Sequence, residues 1–235
     1  MKFSNKTIEV LKNFSTMNPG ILFRPGTTLR TIGTSKNLLA KYVSEDVITD
    51  EFGIYDLSTF CNTLSFYPDH ELEFNGSNKM TIHRGDKRAR GVYGLTAASN
   101  IEVAPEKDLS MPESKMKYEL SREDLEWMLR VAACSSLTHI GFVSDGSKCK
   151  IVSKDMKNGS SDTNSNANEL DLGTGSGEKY AMMFKTENIK MLPGTYIIDI
   201  GFDTATGTGV AHFKNKDISL EYWAAIEAGS SYTKE

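Results

Sequence analysis

Cysteine is scarce, and none of it lies in a C-x-x-C. Cys61, Cys134 and Cys149 cannot all pair, so they read as buried or incidental thiols of a reducing compartment. Long hydrophobic runs are missing. No apolar run exceeds the five residues 222–226, against the roughly 20 that cross a bilayer. The N-terminus, Met1-Lys2-Phe3-Ser4-Asn5-Lys6, leads into an amphipathic pattern and not an apolar leader. A soluble, cytoplasmic protein is the expectation. Surplus positive charge is also absent: 27 basic residues stand against 31 acidic ones, a net charge of −4. That excludes binding to nucleic acid through bulk charge, but not through Lys and Arg gathered on one face.

The motifs of catalysis are missing too. No Gly-Lys dipeptide occurs, so there is no Walker phosphate loop. The Gly-x-Gly-x-Gly at 173–177 and the Gly-x-Gly at 207–209 open no helix that could cradle a phosphate, and they read as hairpin turns. Phe74 stands where the zinc-protease pattern begun by His70-Glu71 needs a second histidine, and no Gly-x-Ser-x-Gly elbow occurs. His70, His83, His139 and His212 are scattered. The carboxylate pairs read as a strand end (Glu45-Asp46) and a helix N-terminus (Glu123-Asp124). Nothing here argues for an enzyme, a metal site or a cofactor.

What remains is ordinary globular composition, 39% hydrophobic and 25% charged over 235 residues, enough for one large or two small domains. Residues 104–117 hold two prolines and many charges, and read as a linker. The division is an N-terminal domain at 1–104, a linker at 105–117 and a C-terminal domain at 118–235. Residues 1–108 carry 13 basic and 13 acidic residues, and 109–235 carry 14 and 18. The first half shows a helix pattern at 6–16 with Ile8, Leu11 and Phe14 on one stripe. Strands at 21–23, 29–32 and 38–43 follow, then a short helix at 56–66 ended by Pro68, and strands at 71–74, 79–83 and 91–95. The second half shows a helix at 121–135, capped by Ser121 with Asp124 in capping-box position. Its stripe is Leu125, Met128, Leu129 and Ala132. Strands at 138–144, 149–153, 169–172 and 179–184 follow, then a short helix at 186–191 ended by Pro193, and strands at 195–202, 208–213 and 220–226. The order repeats, and Pro68 and Pro193 fall at matching points. The expectation is one α+β unit used twice, with both helices on one face of a mainly antiparallel sheet. Residues 158–166 read as a long mobile loop.

Basic residues lie along the polar sides of the helices: Lys6 and Lys12, with Lys2 ahead; Arg122 and Arg130, with Lys117 upstream; Lys185 and Lys190 around the short helix. The usual explanation of such residues is a solvated helix face, which here also carries the acids Glu9, Glu123, Glu126 and Glu187. Arg84, Lys87, Arg88 and Arg90, interrupted by Asp86, form the densest positive spot, either an exposed hairpin or a phosphate contact.

The chain resembles the sliding clamps of T-even-type bacteriophages, the DNA polymerase processivity factors. The likeness lies in Val10-Leu11-Lys12-Asn13-Phe14-Ser15-Thr16-Met17-Asn18 and Gly20-Ile21, then Ile54-Tyr55-Asp56-Leu57, Phe60 and Leu64-Ser65. It continues through Glu123-Asp124-Leu125, Leu129-Arg130-Val131, Lys190-Met191, Pro193-Gly194 and Tyr196 to Ala225-Ile226-Glu227-Ala228. Each motif is weak alone, but their ordered succession spans nearly the whole chain.

The resemblance implies a DNA-clamp fold with two similar domains per subunit, assembled as a homotrimeric ring around duplex DNA. Helices line the hole and sheets form the outer wall. It implies a tether for the replicative polymerase, an ATP-dependent clamp loader as a separate partner, and a platform for a late-transcription sigma-like factor and its co-activator, in the cytoplasm of an infected bacterial host. Lys12 and Arg130 then become the first choices for the lining, with Lys2, Lys6, Lys117, Arg122, Lys185 and Lys190 behind them. Subunit joining by edge strands points to Gly91, Val92, Tyr93, Ile101 and Val103 on one side, and to Glu169, Leu170, Asp171 and Leu172 on the other. A pocket for a partner's hydrophobic tail points to Tyr118, Leu120, Leu192, Pro193 and Trp223, which as core residues would have the same composition. The rival class is a non-enzymatic virion structural protein built from a duplicated α+β unit, which needs neither ring nor basic helix face. A single-strand DNA binder would show basic residues interleaved with aromatics on one strand face, whereas the Tyr and Phe here are mostly spaced as core.

Overall fold

The N-terminal helix α1 (Asn5–Ser15) begins where Ser4 caps it, the Ser4 Oγ accepting from the Thr7 N–H at 3.2 Å. Asp46 fixes Ser4 in turn: its Oδ2 accepts from the Ser4 N–H at 2.8 Å and the Ser4 O–H at 2.9 Å. The buried stripe is Thr7, Val10, Leu11 and Phe14, and Ile8 is only half-buried. Thr7 takes the inward place given to Ile8 by periodicity because its hydroxyl meets Ser44 Oγ at 2.7 Å, and a satisfied hydroxyl buries at little cost.

This computed structural model describes residues 1–74, 78–157, 160–161, 167–175 and 177–233. The chain forms two compact units, Met1–Asp108 and Leu109–Glu235. After α1 the first unit continues with β1 (Ile21–Phe23), β2 (Gly26–Ile32), β3 (Leu38–Ile48), β4 (Phe52–Ile54), α2 (Leu57–Ser65), β5 (Glu71–Phe74), β6 (Lys79–His83) and β7 (Arg90–Gly94). Strand β1 pairs with β4, β2 with β3, and β5-β6-β7 form a meander, all antiparallel. Helix α1 packs on α2 and β3. The core is aromatic: Phe23 stacks on Phe3 at 5.5 Å and on Phe52 at 4.5 Å between ring centroids.

Glu45-Asp46 does not end a strand as the sequence pattern suggests; it lies inside β3. Burial alone would raise the Asp46 carboxyl, but hydrogen bonds from Thr7, Ser4 and Ser44 outweigh it and hold it below the ordinary value of 3.8. Removing that acceptor with Asp46→Ala is expected to lower unfolding free energy by roughly 2–3 kcal/mol, one helix cap and one charged hydrogen bond. Urea denaturation checks it.

His70 is buried, and its Nε2 accepts from the Phe3 N–H at 3.2 Å, which requires the neutral ring. Burial first, and the Lys2 charge next, hold it below 6.5. Below pH 6.5 the unfolded chain therefore binds more protons than the native one. The contribution is complete above that pH and is lost as pH falls through the depressed native value. Stability should fall between pH 7 and 5, and His70→Gln, whose amide oxygen still accepts, should remove part of that slope. His139, also lowered mainly by burial, adds to the slope with the same sign.

The second unit contains β8 (Ser114–Leu120), α3 (Arg122–Cys134), β9 (His139–Asp145), β10 (Lys148–Lys154), β11 (Met156–Lys157), β12 (Ser160–Ser161), β13 (Ala167–Thr174), β14 (Lys179–Lys185), β15 (Tyr196–Asp203), β16 (Thr208–Asn215), β17 (Leu220–Ala225) and β18 (Ser231–Thr233). Strands β8-β15-β16-β17 run antiparallel in that order, and β13-β10-β9-β14-β18 form a five-stranded antiparallel sheet. Helix α3 packs on β10 and β13. Ser121 is the expected N-cap: its Oγ accepts from the Asp124 N–H at 3.1 Å, and Asp124 Oδ2 accepts from the Ser121 hydroxyl at 2.7 Å.

Several expectations change. The segment read as linker to residue 117 is strand from Ser114 onward, pairing with β15 through Met116↔Ile200. Where β15 bends there, Gly201 is required, because a Cβ would lie 2.7 Å from the Pro112 carbonyl oxygen. The second short helix is only a 3-10 turn at Thr186–Asn188. Pro193 disfavours helical backbone just before it, and too few residues remain for a second turn. Of the loop read at 158–166, residues 160–161 form β12, and the others lie outside the described residues. Strands β4 and β18, three residues each, are additions to the expected elements. Pro68 and Pro193 do stand at matching points, each three residues before a strand, β5 and β15. The turn at Gly207, with positive φ, joins the paired strands β15 and β16 and is the expected hairpin, but Gly173 and Gly177, also with positive φ, lie on the connection from β13 to β14, which are separated by β10 and β9 and form no hairpin. No helix among the described residues is long and apolar enough to cross a membrane.

Candidate nucleic-acid interface

Each long helix buries one stripe and turns the opposite face to solvent. On α1 that face holds Asn5, Lys6, Glu9 and Lys12. Lys6 pairs with Glu9 at 3.0 Å. Lys12 pairs with no carboxylate among the described residues, and it lies in the last helical turn, where the helix dipole favours a cation. On α3 the solvent face holds Arg122, Glu123, Trp127, Arg130 and Cys134. Arg122 Nε meets Glu126 Oε1 at 2.8 Å, and Arg130 Nε donates to the Glu126 carbonyl oxygen at 3.3 Å. The carboxylate nearest to Arg130 in the helix is thereby taken by Arg122. Helix α2 offers Ser58, Thr59, Asn62 and Ser65, polar but uncharged.

The other four basic candidates do not join these faces. Lys2 is tied to Asp69 at 3.0 Å. Lys117 lies on β8, not beside a helix face, and pairs with Asp199 at 3.4 Å. Lys185 ends β14 and lines a cleft of about 600 Å³ with Leu137, Met156 and Glu187. Lys190 is exposed beyond the 3-10 turn; with no α-helix there, neither lysine brackets one. In the hairpin loop Arg84 is held by both Asp86 oxygens at 2.8 Å, and that hydrogen-bonded pair raises the arginine and lowers the acid from their ordinary values. Among the described residues no cluster of His, Cys, Asp and Glu could hold a metal.

The two strands picked for subunit contact are both sheet edges. Strand β7 takes its ladder from β6 on one side, and its Val92 is 65% exposed. The opposite edge of that meander is covered by the N-terminus, Met1 exchanging both backbone hydrogen bonds with Leu72. Among the described residues strand β13 pairs only with β10, and its Glu169 and Asp171 are exposed, Glu169 meeting Lys150 at 2.6 Å. Arg88 and Arg90 precede and open β7, so one edge is basic and the other acidic. Ile101 and Val103 are not on the edge strand. They follow a 3-10 turn, and Ile101 packs against Gly20 and Gly53.

The five tail-pocket residues do not gather. Leu120, Leu192 and Trp223 are buried in the core. Leu192 is fixed there, its N–H donating to Tyr222 Oη at 3.0 Å and its carbonyl accepting from Tyr196 Oη at 2.5 Å. Pro193 is exposed. Tyr118 stacks on Phe142, hydrogen-bonds Tyr180, and lines a cleft of about 390 Å³ with Met116, Leu172 and Cys149. Sequence reasoning passed over Trp127. Its signal was available: it lies outside the stripe of Leu125, Met128 and Ala132, three residues before Arg130.

Comparison with known proteins matches residues 117–228 to the family described as "gp45 sliding clamp, C terminal", and residues 2–88 to "DNA polymerase processivity factor". The chain is 30% identical over 234 residues to the sliding clamp of Enterobacteria phage T4, covering 99% of each. Its fold is that of the proliferating cellular nuclear antigen from Entamoeba histolytica (TM-score 0.65, 11% identity, 94% of each chain covered). It also matches the antigen of A. fulgidus, solved with the C-terminal region of FEN-1 bound (TM-score 0.58, 15% identity, 97% of each chain).

Proposed function

Because the chain belongs to the sliding-clamp family of DNA polymerase processivity factors, we propose that it closes into a homotrimeric ring around duplex DNA and holds the replicative polymerase there without catalysing a reaction. The observation that carries this reading is the pair of open sheet edges, basic at β7 in one unit and acidic at β13 in the other. In a head-to-tail ring the β7 edge of one copy meets the β13 edge of the next, and the closed ring satisfies both exposed ladders. Gly91, Val92 and Tyr93 then face Glu169, Leu170, Asp171 and Leu172 of a neighbour.

As the resemblance to T-even clamps implies, α1 and α3 face the DNA in such a ring, and Lys12 and Arg130 meet its phosphates. Sliding requires that the contact ignore sequence, and phosphates supply that. Residence then comes from topology, so a net charge of −4 is no handicap.

Such a ring needs an ATP-dependent loader. The resemblance to T-even clamps supports that partner, a late-transcription sigma-like factor with its co-activator, and a place in the host cytoplasm. For a partner's apolar tail, the cleft at Tyr118 is the seat that remains of the five residues considered. Light scattering on a size-exclusion peak tests the assembly. Three times 26.0 kDa, about 78 kDa, is expected; a monomer at every concentration would contradict the ring and favour the virion-component reading.

A further inference from the structure

Helix α3 is poorly charged for a DNA-facing element. Its two cations, Arg122 and Arg130, are outnumbered by Glu123, Asp124 and Glu126. Arg122 is spent on Glu126. One cation per helix, Arg130, remains to meet phosphate. Beside it, three residues back and on the same face, stands Trp127, 38% exposed. The indole offers a flat apolar face and a single N–H donor, so the partner it fits is one with both an apolar surface and a hydrogen-bond acceptor.

We propose that Trp127 is a DNA-backbone contact: its Nε1–H donates to a phosphate oxygen and its ring lies on a deoxyribose, while Arg130 takes a neighbouring phosphate. Sugar and phosphate recur at every nucleotide, so this contact leaves the ring free to slide. It also adds affinity that salt does not screen, which a helix with three acids and one free cation otherwise lacks. The inference rests on the reading that α3 faces duplex DNA.

The chain has two tryptophans, and Trp223 is an internal reference, buried and stacked on His212 at 4.7 Å. The full-length protein labelled with 5-fluorotryptophan gives two fluorine resonances, assigned with Trp127→Phe. Titration with a 25-base-pair duplex at low salt should move the Trp127 resonance and leave Trp223 in place. In parallel, duplex affinity is measured against salt for wild type, Trp127→Ala and Arg130→Ala. Trp127→Ala should weaken binding roughly three- to tenfold at every salt concentration, the worth of one hydrogen bond with its apolar contact, and leave the slope of log affinity on log salt unchanged. Arg130→Ala should make that slope shallower. A still Trp127 resonance, or unchanged affinity in Trp127→Ala, while Arg130→Ala flattens the slope, overturns the tryptophan contact and keeps α3 on the DNA. An unchanged slope in Arg130→Ala together with a still Trp127 resonance overturns the DNA-facing reading itself.

Discussion

Leu170→Pro is expected to take the assembly apart. Leu170 lies at the middle of β13, opposite Ile151 of β10, on the edge that the ring reading pairs with β7 of a neighbour. Proline lacks the N–H and fits an edge only where nothing pairs beyond it. In a trimer the change falls on all three interfaces, and each should weaken by roughly a hundredfold or more. Mass in solution should fall from about 78 kDa to 26.0 kDa, and clamp-dependent synthesis should lose its processivity. A second pair of variants guards against simple misfolding. Glu169→Lys with Asp171→Lys changes only exposed side chains, and should also dissociate the ring by setting like charges edge to edge. Adding Arg88→Glu and Arg90→Glu to the same chain should restore it. A trimer that persists through both tests would remove β13 from the interface.

Lys12→Ala with Arg130→Ala should produce the second large effect, in salt dependence and not in fold. Lys12 makes no ion pair with a described residue, and Arg130 gives only a backbone hydrogen bond, so little stability depends on either. In a ring of three copies the double variant removes six cations. Each direct phosphate contact contributes about 0.9 to the slope of log affinity on log salt. The slope should become shallower by roughly two to five, the lower figure applying where water bridges the contact. Processive synthesis should fail at lower salt than in the wild type. Unchanged salt sensitivity would mean that these helix faces do not meet the DNA.

Why some of this was legible in the sequence and some was not follows from the kind of signal each element carries. Helix α3 was plain because its N-cap and its stripe of Leu125, Met128 and Ala132 agree. Helix α1 was found, but its rotation was misjudged: periodicity ranks Ile8 above Thr7, and only the Ser44 hydroxyl across the packing makes Thr7 the buried residue. The same long-range logic hid Asp46, which reads as a strand-end acid until the fold brings it to the N-terminus of α1. Residues 186–191 have a helical pattern, yet tertiary contacts prevail there, with Thr186 donating to the Leu137 carbonyl and Leu192 held by Tyr222.

Within the candidate site, charge patterning pointed to Lys12 and Arg130, and the structure leaves both on solvent faces of their helices with no carboxylate partner among the described residues. It over-collected elsewhere, because ion pairing depends on partners distant in sequence: Lys2 with Asp69, Lys117 with Asp199. The tail-pocket residues were chosen for apolarity, a property that core shares, and Leu120, Leu192 and Trp223 proved to be core. Trp127 was missed because a search for nucleic-acid contacts that counts only Lys and Arg passes over an aromatic on a helix.

The central claim is encirclement, and topology tests it most directly. The clamp is loaded on a nicked circular duplex, washed at high salt, and the DNA is then cut once. Retention on the circle and prompt loss after linearisation is the predicted result, since a ring bound by topology leaves only over an end. Loss from the circle in the same wash, or retention on the linear form, would contradict the ring and mean that the protein holds DNA, if at all, by surface contact alone.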